Sequence, residues 1–124
     1  MTINEFVNKY NLHDSLLENI TYDETTKKIV LSIDFCYWQQ DDYKDDMGET
    51  GMIVIEFDEV ESLKYVPYQI NSDEIIDISH EDNRITLTVF NDISNDNIDI
   101  IINAKNVTVS KCDWKEKETG YEYL

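Results

Sequence analysis

The sequence predicts an α+β domain that is mainly β: an antiparallel sheet system of about seven strands with a short N-terminal helix. Three observations carry this. From Ser15 onward, apolar and polar residues alternate at a period of two. The alternating runs are short and are separated by polar turns. Helical spacing lies at the start of the chain, before Ser15.

Residues 2–10 read as the helix. Thr2 and Glu5 have the spacing of a capping box, which satisfies amides that the first turn leaves unpaired. Ile3, Phe6, Val7 and Tyr10 then form one apolar stripe. A helix this short must dock to persist.

Leu16 to Tyr22 form the first strand, and Asp23 to Lys28 the turn after it. Ile29, Leu31, Ile33, Phe35 and Tyr37 line one face of the next strand and should point into the core. A third strand runs from Met52 to Phe57 and on through Val60, Leu63 and Tyr65, until Pro67 breaks it. Ile75 to Phe90 repeat the first hairpin faintly, with Phe90 in the place of Phe35 and a turn shorter by two residues. After a polar loop, Asn91 to Asn97, a last hairpin is expected to pair Ile98–Ile102 with Val107–Val109 across Asn103 to Asn106.

The length, 124 residues, fits a single domain over 1–124. Such a chain buries roughly two-thirds of its unfolded surface and needs no metal or disulfide to fold. With 41% hydrophobic residues it has enough apolar surface to avoid disorder. No run approaches the ~18 apolar residues of a membrane span, and the N-terminus lacks the basic start and apolar core of a signal peptide. A cytoplasmic location is expected. Cys36 and Cys112 then read as two reduced thiols.

Charge is the strongest functional signal. Twenty-seven Asp and Glu stand against ten Lys and Arg, for a net charge of -17 and a pI near 4.1. Anionic lipids and nucleic acid phosphates should both repel this surface. A basic protein should be drawn to it. Within the long break between the second and third strands, Trp38, Asp41, Asp42, Tyr43, Asp45 and Asp46 are the expected partner-binding residues. Aromatic rings supply rigid contact area, and carboxylates steer a basic partner.

Other chemistries find no support. A calcium loop needs oxygen ligands at positions 1, 3 and 5 and glycine at 6. Starting at Asp41 or Asp42 puts Tyr43 or Lys44 at position 3, and the loop from Asp92 to Asn97 lacks the glycine. His13, Asp14 and Ser15 are adjacent, whereas a catalytic triad converges from separate elements. They are better suited to shaping a turn. His13, His80, Cys36 and Cys112 lack the paired spacing of zinc ligands. Phosphate-loop, dinucleotide and HExxH signatures are absent. Neither enzyme activity nor a cofactor is expected.

Asn11-Leu12-His13-Asp14-Ser15, Ile20-Thr21-Tyr22-Asp23 and Ile29-Val30-Leu31-Ser32-Ile33, followed by Phe57, Val60 and Leu63, resemble the opening of a class of small bacterial proteins. In these, a Leu-His-Asp-Ser-type turn leads into a β-hairpin, and some are proposed immunity proteins of polymorphic toxin systems. The resemblance implies a mainly β, α+β fold and carries over no catalytic residue. Sixteen Ile and eleven Asn beside single Ala, Arg and Pro residues suit AT-rich bacterial coding sequence. The leading expectation is an acidic protein-binding module, most concretely an immunity protein or inhibitor of a basic toxin or enzyme. The alternatives are a small structural or accessory domain and, third, a metal-dependent or hydrolytic enzyme.

Overall fold

A computed structural model describes residues 1–37, 40 and 50–112. The helix α1 spans Ile3–Lys9 and is capped as expected. The Glu5 amide donates to Thr2 Oγ1 at 3.1 Å, and the Thr2 amide donates to Glu5 Oε1 at 2.9 Å. Ile3 and Phe6 are fully buried, so the apolar stripe is the docked face. The start of the chain is pinned as well, because Met1 and Val107 exchange two backbone bonds.

Six strands follow among the described residues: β1 Leu16–Asp23, β2 Lys28–Cys36, β3 Thr50–Lys64, β4 Asp73–Glu81, β5 Arg84–Asn91 and β6 Asp96–Cys112. They form a closed antiparallel barrel in the order β1-β2-β3-β6-β5-β4. Two three-stranded meanders are thus joined along β3 and β6. The barrel closes between β1 and β4 through two residue pairs, Leu16 with Glu74 and Leu17 with Asp73.

Alternation decided which face turns inward. Ile29, Leu31, Ile33, Phe35 and Tyr37 are at most 1% exposed. Ile53, Ile55 and Phe57 of β3 and Ile85, Leu87 and Val89 of β5 complete the interior. Each such side chain stabilises the fold by about 1.5–3 kcal/mol relative to exposure.

The expected last hairpin is a single strand. Asn103 to Asn106 do not turn; β6 runs straight through them, paired with β5 from Asp96 to Asn103 and with β3 from Ile101 to Cys112. Asn103 Nδ2 donates to Ser62 Oγ, and Asn106 Nδ2 donates to Glu59 Oε2. Ala104, between them, is buried opposite Val60. A turn-like composition therefore serves side-chain bonding along a ladder.

The two halves are related in detail. Both hairpins carry a bulge at the same place, between Leu17 and Asn19 and between Ile75 and Asp77. The Val60 amide donates to Lys27 O, and the Ala104 amide donates to Asn83 O. The register corrects one equivalence: Asn91, not Phe90, occupies the place of Phe35. Asn91 is buried, while Phe90 is 36% exposed.

Candidate functional site

At one end of the barrel the chain leaves β3 and crosses to β4 through residues 65–72. Pairing of β3 ends at Lys64, and Pro67, which cannot donate to a ladder, keeps the segment from resuming it. Tyr65 and Tyr68 pack edge to face, with ring centroids 6.0 Å apart and planes at 87°. Both are partly buried against the core, whereas Val66 between them is 74% exposed. Opposite them stands the β5–β6 turn. The gap is a cleft of about 820 Å³ between the Tyr65–Tyr68 segment and Asp96, Ile98 and Asp99. It combines aromatic rings, an exposed aliphatic side chain, two carboxylates and one lysine, Lys64.

A buried polar group supports this end. Asn91 Nδ2 donates to Gln69 O at 2.8 Å and to Asp73 Oδ1 at 2.9 Å. Its Oδ1 accepts from the Ser94 amide and from Ser94 Oγ. One side chain therefore fixes both walls of the cleft, the crossing segment and the β5–β6 turn. Asp73 is the one charged residue buried among the described residues. Its Oδ2 and the Tyr68 hydroxyl are both buried, and neither completes a hydrogen bond. Burial first, and the nearby Asp73 carboxylate second, push the Tyr68 hydroxyl well above the usual phenol range. The phenol stays neutral beside a buried carboxylate.

Among the described residues, no three His, Cys, Asp or Glu side chains converge as a metal site. Ser15 Oγ accepts from the Cys36 amide at 2.9 Å and is buried. His13 Nδ1 lies 3.1 Å from Asp14 Oδ1, so Ser15 is engaged elsewhere and the three residues form no relay. Asp14 adopts a left-handed φ of 68° and its amide donates to Ile75 O, which makes this segment the closing turn of the barrel. His80 is exposed on β4.

Trp38, Asp41, Asp42, Tyr43, Asp45 and Asp46 lie outside the described residues. Their attachment is defined. Cys36 and Thr50 are paired across β2 and β3, at the opposite ends of the strands from the cleft. Gln40 pins the exit from β2: its Nε2 donates to Asn11 O and Cys36 O, and its Oε1 accepts from the Asn11 amide. The cleft itself was missed by sequence reasoning. Its signal was the aromatic and aliphatic run Tyr65-Val66-Pro67-Tyr68, which read as the end of a strand.

No protein-family model, curated protein or solved structure matches the chain. No helix among the described residues is long and apolar enough to cross a membrane.

Proposed function

We propose that the protein is an acidic protein-binding module whose partner is basic, most concretely an immunity protein or inhibitor of a basic toxin or enzyme in the cytoplasm. The observation that carries this reading is the net charge of -17. The barrel interior takes apolar residues, and Asp73 alone among the described charged side chains is buried, so the other described acids are displayed outward. Enzymes that act on nucleic acid carry basic clefts, and an acidic surface is steered into them and blocks them. Trp38, Asp41, Asp42, Tyr43, Asp45 and Asp46 remain the proposed contact residues. The cleft beside Tyr65 and Tyr68 adds a second aromatic surface, with two aspartates against one lysine.

The test uses the full chain as bait, followed by titration of the purified captured protein at rising NaCl. The expected partner is basic, forms an equimolar complex that weakens with salt, and loses its activity when saturated if it is an enzyme. A neutral or acidic partner, or a complex indifferent to salt, contradicts the reading.

A further inference from the structure

Barrel closure leaves much of one β4 edge without backbone pairing, on a strand that α1 also contacts. β4 pairs with β5 from Glu74 to Glu81, but with β1 only at Asp73 and Glu74. Two further bonds, from the Asp14 amide to Ile75 O and from the Ile75 amide to Ser15 O, extend this contact by one residue. From Ile76 to Glu81, no backbone bond among the described residues meets the outer edge. Asp77, Ser79, His80 and Glu81 are exposed along it. An unpaired strand edge is a template for another strand.

Charge selects the occupant. Glu74, Asp77, Glu81 and Asp82 stand along this edge and its turn, against Arg84, which is already bound to Glu81 at 3.1 Å. β1 has an equivalent open run from Glu18 to Asp23, but Lys27 and Lys28 offset the acids of its turn. A second copy of this chain is disfavoured, because edge-to-edge pairing would bring Asp77 and Glu81 of two copies together. Asp77, Ser79 and Glu81 share one face at the strand period of two.

We propose that the outer edge of β4, Ile76–Glu81, accepts an extended segment of a basic protein as an added strand. Backbone bonds hold the segment, and lysine or arginine at alternate positions meets Asp77 and competes with Arg84 for Glu81. The inference rests on the reading above for the charge of the partner. It does not depend on the partner's identity.

The probe is a blocked synthetic peptide alternating lysine with valine and threonine, compared with the same peptide N-methylated at every second amide. N-methylation removes backbone donors and keeps the charge. Amide exchange of the full chain is followed by NMR during titration. The expected result is slowed exchange within Ile76–Glu81 on adding the first peptide and binding at least about tenfold weaker for the second. Equal binding of the two peptides, protection elsewhere, or edge amides already protected in the free protein would overturn the proposal. If neither peptide binds while a basic protein partner still does, this edge is excluded and the wider reading stands.

Discussion

At one mouth of the barrel Phe35 stands beneath α1; at the other, the equivalent position holds Asn91. Phe35 packs edge to face on Tyr10 of the helical segment and on Tyr37, at 6.0 and 5.9 Å. Asn91 instead ties Gln69, Asp73 and Ser94 together. The same contrast recurs one strand away, where Ser15 in the first half matches Asp73 in the second. The first mouth is sealed by apolar contact. The second is held by buried polar groups, which stabilise little in net terms but fix geometry. The lesson is that matching frames can divide labour. One end holds the barrel shut, and the other shapes an open cleft.

The largest effect is expected at the sealed mouth. Phe35→Ala should destabilise the fold by about 3–5 kcal/mol, read from denaturant melts. A loss below about 1 kcal/mol would mean that the apolar seal is not what closes that end. At the polar mouth, Asn91→Ala removes one partner from Asp73 and two bonds from Ser94. Its expected cost is smaller, about 1–3 kcal/mol. Equal losses at the two positions would erase the comparison.

How much of this was legible in the sequence differs by element. The inward face of β2 was clear because alternation is a local signal, and its residues are all buried. The Thr2–Glu5 capping box was equally local. β6 was misread because Asn103 to Asn106 have turn composition, and its pairing at that point depends on two distant strands. Closure into a barrel rests on two residue pairs between β1 and β4, which no local pattern encodes. The cleft arises from residues about thirty positions apart, at Tyr65–Tyr68 and Asp96–Asp99, so its one local signal, the Tyr65–Tyr68 run, read only as the end of a strand.

A finer test of the sealed mouth is Thr2→Ala, which removes the cap of α1. It should cost about 1 kcal/mol. Circular dichroism combined with denaturant melts would show whether the helical lid loosens before the barrel does. An unchanged midpoint would mean that docking alone holds the lid.

The smallest effect concerns the closing pair. Hydrogen bonding to Asp14 first, then burial and the Asp14 charge, raise the Glu74 pKa. A raised folded-state pKa means that the folded protein binds this proton more tightly. Its stabilisation is full below the ordinary glutamate pKa and is lost as pH rises through the folded value. The neighbouring His13 opposes the rise in pKa only in part, so the Glu74–Asp14 contact costs stability once Glu74 is ionised. Glu74→Gln should therefore raise the melting temperature slightly at pH 7, with the gain vanishing as the carboxylates protonate. A gain that grows on acidification would contradict this sign.

Association kinetics with the captured partner address the central claim most directly. The measurement is the association rate constant across a range of NaCl concentrations, for wild type, for a variant with Asp41, Asp42, Asp45 and Asp46 changed to Asn, and for Trp38→Ala. The account predicts that wild-type association slows steeply with salt. The Asn variant should associate more slowly, with a flatter salt dependence. Trp38→Ala should keep the association rate but dissociate faster, by about 2 kcal/mol or more. If both variants match wild type, Asp41–Asp46 and Trp38 are not the interface. If wild-type association is itself indifferent to salt, the charge of this protein does not select its partner.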